Sequence, residues 1–199
     1  LAVAGLGYAG IQKKKAAEAA SAKATAEADD SNTVTWQGKT YKYNQNLSNY
    51  LLLGVDKRTP VETRVGKADA GQADALFLLS LNRKTKEMTL ISIPRDTMTD
   101  VESFDLEGKS LGKSKDHISL SYGYGDGGAE SCKLTQEAVS NLFYGLPIQG
   151  YLAMNLDGIP ELTKSVGGLT VTVPNNSLEY EYPEFAEGAE VTLTEENTE

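Results

Sequence analysis

The sequence is poor in the residues on which most metal and nucleophile chemistry relies. It has one cysteine, Cys132, and one histidine, His117, among 199 residues. A lone cysteine cannot close an internal disulfide, and one histidine with one distant cysteine excludes the usual His/Cys zinc sites. The sequence also lacks a GxxxxGK[ST] loop and a GxSxG elbow. It therefore argues against a P-loop nucleotide enzyme and against a Ser–His–Asp hydrolase.

Basic charge is scarce as well. The chain carries 19 Lys and Arg against 28 Asp and Glu, which gives a net charge of −9. No basic stripe is present that would neutralise a phosphate backbone, so nucleic acid is excluded as the main partner. The length and the 40% hydrophobic content suit one domain with a real core.

The first segment is apolar but short. Residues 1–12 carry no charge, whereas spanning a bilayer takes about 20 apolar residues. We interpret them as the end of a transmembrane anchor. The lysines at 13–15 favour the cytoplasmic side, so these residues leave the topology open. Residues 13–32 are rich in alanine and predict a spacer, and the domain is expected over 33–199.

The remaining pattern alternates strands and helices. A small hairpin is indicated around residues 34–43, and a long polar loop is predicted for residues 95–117. Asp157 is predicted to cap a helix whose residues Ile159, Leu162 and Val166 share one face. This order predicts an α/β fold, an α-β-α layered single domain with a mixed central sheet. Further strands are predicted at 50–55, 75–81, 88–93, 149–155 and 169–173, and a first helix around 134–143.

Charged residues cluster where the predicted strands begin or end. Asp56 follows the first core strand, Asp74 precedes the second, and Arg95 and Asp96 follow the third. If the second and third strands form a hairpin, Asp74 lies near Arg95 and Asp96. Carboxylates suit Mg²⁺, and an arginine can bind phosphate in bidentate fashion. The alternative is that these residues are ordinary solvated strand ends.

Three other features have plainer interpretations. The glycine-rich stretch Gly123–Gly128 is favoured as a simple loop over an anion cradle. His117 is favoured as a loop residue over a catalytic base. Cys132 falls in a predicted helix and is favoured as a core residue over a reactive thiol.

Several motifs together resemble the LytR–CpsA–Psr family. The similarity covers about residues 48–174 with consistent order and spacing. It includes LLLGVDKR at 51–58, SIPRDT at 92–97, SYGYG at 121–125 and the stretch from LPIQGY to GGLTVTVP.

The resemblance implies a function in the cell envelope. Members of the family are membrane-anchored by one N-terminal helix, with the domain on the extracellular face of a Gram-positive type envelope. They transfer glycopolymers of teichoic acid or capsule type from a polyprenyl pyrophosphate carrier to peptidoglycan, with Mg²⁺ as cofactor. This implication favours export in spite of the lysines at 13–15.

The resemblance also assigns roles to particular residues. Asp56 and Asp74 match the metal-binding aspartates, and Arg95 matches the arginine that binds the pyrophosphate. Arg95, Asp96 and Asp74 would form the catalytic group. Arg58 matches a second basic position near the phosphates.

The sequence departs from the family pattern in places. Gln72 stands where an arginine is common, and His117 and Ser119 stand where lysine and asparagine are common. A later arginine-rich motif is expected beyond Glu199, so we expect the C-terminal part of the domain to be missing from this chain. Two other functions stay open: a non-catalytic module that binds the lipid carrier or glycan, and a polyprenyl pyrophosphate hydrolase.

Overall fold

The computed structural model describes residues 32–58 and 63–198. The chain divides into two compact units, residues 1–45 and residues 46–199. The predicted anchor end at 1–12, and the predicted spacer at 13–32 except for its last residue, lie outside the described residues. Among the described residues, no helix has the length and apolar character needed to cross a membrane.

The first unit contains the predicted hairpin. Strand β1 (Thr33–Trp36) pairs antiparallel with β2 (Lys39–Lys42). The two residues between them, Gln37 and Gly38, have φ values of 49° and 74°. Positive φ at both positions is what a two-residue type I′ turn requires.

The second unit is a mixed α/β structure, which confirms the predicted fold class. Its elements in chain order are β3 (Leu47–Val55), β4 (Ala73–Asn82), β5 (Met88–Ile93), β6 (Met98–Phe104), β7 (Ser110–His117), α1 (Leu120–Gly123), α2 (Ala129–Leu142), β8 (Gly150–Asn155), α3 (Gly158–Ser165), β9 (Leu169–Thr172) and β10 (Glu190–Leu193). Two 3-10 turns lie at Pro183–Phe185 and Glu195–Asn197. The central sheet has the order β5-β4-β3-β8. Strand β4 is antiparallel to β3 and β5, whereas β8 is parallel to β3. Strands β9 and β10 form a separate antiparallel pair.

One face of the central sheet forms the core. Alternate residues of β3 and β4 are buried there, with Leu51, Leu53, Leu76 and Leu78 at most 3% exposed. They pack with residues of β6, α1 and α2 in a single cluster. Burying each such leucine contributes about 1.5–3 kcal/mol. On the opposite face, large apolar side chains reach the surface, among them Tyr50, Leu90 and Leu152.

The segment predicted as a polar loop is a β-hairpin, so that prediction was wrong. Strands β6 and β7 pair from Met98↔His117 to Phe104↔Ser110. Thr99 and Val101 point inward and are buried, but most of β7 is exposed and polar. A strand with so few inward apolar residues gives little period-two signal. Asp105 builds the turn, because its Oδ1 accepts the N–H groups of Glu107 and Lys109.

The two main helices begin in different ways. Helix α2 starts with a cap from Asp126, whose Oδ1 accepts hydrogen bonds from three backbone N–H groups, those of Gly128, Glu130 and Ser131. Asp157 stands at the N-cap position of α3, as predicted, but its side chain makes no capping hydrogen bond.

Two of the three residues predicted to share one face of α3 are exposed. Leu162 is 51% exposed and Val166 is 63% exposed, while the buried residue of the helix is Thr163. Helical spacing identified which residues share a face but not what covers that face.

The Asp126 cap predicts a pH-dependent contribution to stability. Burial acts to raise the pKa of Asp126, but the N–H groups of Gly128, Ser131 and Glu130 outweigh it and lower that pKa. The charged carboxylate therefore stabilises the folded state fully above the pKa of the unfolded chain, about 3.9. This stabilisation is lost as the pH falls through the lower folded-state pKa.

We expect Asp126→Ala to lower the free energy of unfolding by about 0.5–2 kcal/mol at pH 7. The difference from the wild type should shrink in acid below the folded-state pKa. Urea denaturation at a series of pH values measures both. Asp157→Ala is the control, since Asp157 stands at the N-cap of α3 without a capping hydrogen bond, and we expect a change within about 0.5 kcal/mol. Equal losses in both variants would contradict the capping role.

Candidate functional site

The site lies where β4 begins and β5 ends. The two strands are antiparallel neighbours, and Leu76 lies opposite Ile93. Asp74, two residues before Leu76, therefore lies near Arg95, two residues after Ile93. Nη1 of Arg95 is 2.7 Å from Oδ1 of Asp74. The predicted neighbourhood of Asp74 and Arg95 is confirmed.

A bulge at the start of β4 sets the direction of Asp74. Gly54 pairs with Ala75 and Val55 pairs with Ala73, so Asp74 has no partner on β3. In a regular strand Asp74 would share the buried face of Leu76. The bulge places Ala73 on that face instead, where it is fully buried. An extra unpaired residue of this kind re-aims a side chain, as is common beside active sites.

Asp74 has a buried oxygen that lacks a hydrogen bond. Its Oδ1 is shielded from solvent and accepts none, although Nη1 of Arg95 lies 2.7 Å away as an ion-pair partner. The contact with Arg95 is therefore an ion pair without hydrogen-bond geometry. A carboxylate has about four lone-pair sites, so Asp74 can contact a second cation beside Arg95.

Asp56 approaches the same place from β3. Its Oδ1 accepts the backbone N–H of Gln72 at 2.6 Å, and its own N–H donates to the carbonyl of Gln72 at 3.1 Å. Asp56 and Asp74 both line a cavity of about 280 Å³ whose other walls include Met154 and Ile159. The cavity is therefore largely apolar, with two carboxylates in its lining.

Asp96 links Arg95 to His117. Its Oδ1 lies 3.7 Å from Nε of Arg95 and 3.1 Å from Nδ1 of His117. His117 ends strand β7, so the prediction of a loop residue was wrong. Sequence reasoning missed the contact because the two residues are 21 positions apart and the hairpin that joins them was not recognised.

Arg58 lies elsewhere. Its Nη1 is 4.0 Å from Oδ1 of Asp157, and both side chains are largely exposed. The structure therefore does not bring Arg58 into the ion pairs of Arg95. Its role near the phosphates stays a prediction.

The departures from the family pattern are neighbours of the site. Oγ of Ser119 donates to Oε1 of Gln72 at 3.3 Å. The backbone N–H of Ser119 donates to the carbonyl of Arg95, and its carbonyl accepts the N–H of Ala73. Two residues that are commonly Arg and Asn in the family pattern are here a neutral, mutually bonded pair.

The glycine-rich stretch lies beside a second cavity. This cavity, about 550 Å³, is lined by Lys57, Tyr122, Gly128, Cys132 and Tyr151, among others. Burial raises the pKa of Cys132 to about 11, which fits a core residue and not a reactive thiol. The N–H groups of Gly127 and Gly128 are taken up by Ser131 and Asp126, so they are not free to cradle an anion.

The described residues contain no group of three or more His, Cys, Asp or Glu side chains that would hold a metal ion. Asp56 and Asp74 are a smaller set, two carboxylates that reach one cavity. Mg²⁺ is commonly held by one or two carboxylates, with substrate phosphates and water completing its octahedron. The donor set fits that arrangement.

Asp56 and Lys57 pack closely against Gly71. It has a φ of +95°, and a Cβ there would lie 2.7 Å from Cγ of Lys57 and 2.8 Å from Oδ1 of Asp56. Gly145 has a φ of +87° with open space around it.

We expect Gly145→Ala to cost only the left-handed backbone strain, about 1–2 kcal/mol. Gly71→Ala should cost measurably more in urea denaturation because Asp56 and Lys57 must move. Equal costs would show that Asp56 is not tightly positioned.

Comparisons with known proteins identify the family of this chain. A family model described as the LytR_cpsA_psr family matches residues 8–197. Two relatives are both named polyisoprenyl-teichoic acid–peptidoglycan teichoic acid transferase TagU. The protein of Bacillus licheniformis is 31% identical over 152 residues, covering 75% of this chain and 41% of the relative. That of Bacillus cereus is 34% identical over 140 residues, covering 69% and 38%.

Two solved structures are also similar. TagV of B. subtilis is 26% identical with a TM-score of 0.51, over 77% of this chain and 54% of that chain. Protein gbs0355 of Streptococcus agalactiae is 26% identical with a TM-score of 0.53, over 76% and 49%. The chain spans about two fifths of the length of the TagU relatives. The match of the family model over nearly the whole chain is decisive, and this chain belongs to the LytR_cpsA_psr family.

Proposed function

We propose that the full-length protein is a phosphotransferase of the cell envelope. It would take an anionic glycopolymer, of teichoic acid or capsule type, from a polyprenyl pyrophosphate carrier and attach it to a hydroxyl of peptidoglycan. The observation that carries the proposal is the pairing of Asp74 with Arg95 beside a largely apolar cavity. The names of the TagU relatives support the same class of reaction.

The site offers a place for each part of such a donor. The guanidinium of Arg95 is 46% exposed and is suited to bind phosphate oxygens in bidentate fashion. The apolar cavity of about 280 Å³ beside Asp74 suits the hydrocarbon next to the pyrophosphate. The sheet face around it adds apolar surface through Leu90 and Leu152. Burying hydrocarbon there holds the reacting phosphorus near Arg95.

We further propose Mg²⁺ as the cofactor, with Asp56 and Asp74 as its protein ligands. When bound, this ion supplies positive charge that offsets the charge of the transferring and leaving phosphates. Arg95 would stabilise the same charge, and Asp96 lies 3.7 Å from its Nε as a second acidic neighbour.

The location of the protein follows from the proposed substrates. A polyprenyl carrier is a membrane lipid and peptidoglycan lies outside the cell membrane. We therefore propose a single-pass membrane protein with this domain on the extracellular face, and the apolar segment at 1–12 is consistent with the end of its anchor.

The test is release of polyprenyl phosphate from a glycan-loaded polyprenyl pyrophosphate by the full-length protein. We expect Arg95→Ala and Asp74→Ala each to lower the rate by about 10²–10³. The ion pair is half-exposed, so Arg95→Ala should cost at most about 1 kcal/mol of stability. Denaturation curves check that the variants fold. Lys133→Gln, which removes an exposed pair with Glu130 on α2, is the control and should keep full activity.

The other outcomes identify the alternative functions. Lipid binding without any release would contradict the transferase and favour a binding module. Release to water in the presence of peptidoglycan, with no glycan attached to it, would favour a hydrolase.

Metal binding is tested separately from activity. Mn²⁺ can replace Mg²⁺ and is observed by electron paramagnetic resonance, here with inorganic pyrophosphate present. We expect Asp56→Asn and Asp74→Asn each to weaken Mn²⁺ binding about tenfold or more, because each removes one of two charged ligands. Asp157→Asn, an exposed aspartate paired with Arg58, is the control. Unchanged affinity in both site variants would refute the metal assignment.

A further inference from the structure

The single histidine of the chain lies at the candidate site in an arrangement that neither the family pattern nor the sequence suggested. His117 is the last residue of β7 and pairs with Met98 across the hairpin. The turn from Pro94 to Thr97, closed by a 3.0 Å backbone hydrogen bond, places Asp96 next to it. Nδ1 of His117 lies 3.1 Å from Oδ1 of Asp96.

This contact determines the tautomer of the His117 imidazole. An ionised carboxylate only accepts hydrogen bonds, so Asp96 favours the tautomer of His117 that carries its proton on Nδ1. Nε2 then has a free lone pair and can accept a proton. A carboxylate on the far nitrogen also stabilises the imidazolium that forms, as in any Asp–His pair that acts on a hydroxyl group.

The Asp96–His117 pair lies next to Arg95, so Nε2 of His117 is close to the proposed phosphate site. Oδ1 of Asp96 serves both Arg95, at 3.7 Å, and His117, at 3.1 Å. Arg95 in turn contacts Asp74. The four side chains form one continuous chain with the phosphate-binding guanidinium in the middle. His117 is 47% exposed, so a solute can reach it.

We propose that His117, oriented by Asp96, is the general base that takes the proton from the acceptor hydroxyl. This inference rests on the proposed function. In the step, the acceptor O–H bond breaks and its proton goes to Nε2 of His117. The oxygen forms a bond to the phosphorus next to the glycan, while the bond from that phosphorus to the bridging oxygen breaks. Polyprenyl phosphate leaves with the bond electrons, and His117 later returns the proton to solvent.

The charges around His117 support proton transfer in this direction. Asp96 faces the ring, and Oδ1 of Asp116 accepts the backbone N–H of His117 at 2.8 Å. Arg95 is the other partner of Asp96, and the cross-strand partner Met98 is neutral. Lys115, two residues earlier on β7, is paired with Asp100 at 3.1 Å. The Asp96 carboxylate next to the ring can therefore pair with the imidazolium that the step creates.

The experiment measures transfer rates of the full-length protein at saturating donor over a range of pH. For the wild type we expect kcat to rise with pH as a single ionisable group loses its proton. His117→Gln should lower kcat by about 10²–10⁴ and remove that rise, with the KM for the lipid donor little changed. His117→Ala should regain activity when free imidazole is added. Lys115→Gln, on the same strand, should behave as the wild type.

A variant with a lysine separates a base from a simple cation. His117→Lys introduces the residue that is common at this position in the family. It keeps positive charge for phosphate binding but provides no base at neutral pH. We expect it to be as slow as His117→Gln. Wild-type kcat and pH profile in His117→Lys, or in His117→Gln, would overturn the proposal while leaving the transferase intact. Absence of release by the wild type would instead mean that the proposed function has failed.

Discussion

Asp74 and Arg95 meet because two antiparallel strands place the beginning of β4 beside the end of β5, and the rest of the site is arranged around that ion pair. The pair needs the register of the hairpin and also the bulge against β3, without which Asp74 would point into the core. One carboxylate oxygen of Asp74 is shielded from solvent and has Nη1 of Arg95 at 2.7 Å as its ion-pair partner. The pair therefore depends on the strand register that brings the two residues together.

The two faces of the central sheet have different roles. On one face, Leu51 and Leu76 belong to a core closed by α1, α2 and the β6–β7 hairpin. On the other face, Gly54 pairs with Ala75, and these small residues leave room for the apolar cavity between Asp56 and Met154. Successive residues of these strands thus point alternately into the core and towards the face where a lipid would lie under the proposed function. Substitutions on the two faces are expected to differ accordingly in what they damage.

The β6–β7 hairpin has a second role besides covering the core. It carries His117 back to the turn after β5, and Ile118 and Ser119 continue from it into contact with Thr97, Arg95 and Ala73. The residues that depart from the family pattern, Gln72, His117 and Ser119, therefore all lie around Arg95. Fewer permanent charges surround the guanidinium here than an arginine and a lysine would supply, and a titratable imidazole stands in their place.

The sequence by itself determined the strands of the central sheet, the hairpin pairing of β4 with β5 and the proximity of Asp74 to Arg95. These follow from continuous apolar runs, a short polar turn and the family motif, all of which are local signals. It did not reveal the β6–β7 hairpin, because most of β7 is exposed and shows no period of two. It also identified Leu162 and Val166 as one face of α3 without showing that this face is exposed. Only the tertiary structure decided that Asp74 lies in a bulge, that Arg58 turns towards Asp157 and that His117 meets Asp96. Each of these depends on backbone paths between residues far apart in the chain, which spacing along the sequence does not encode.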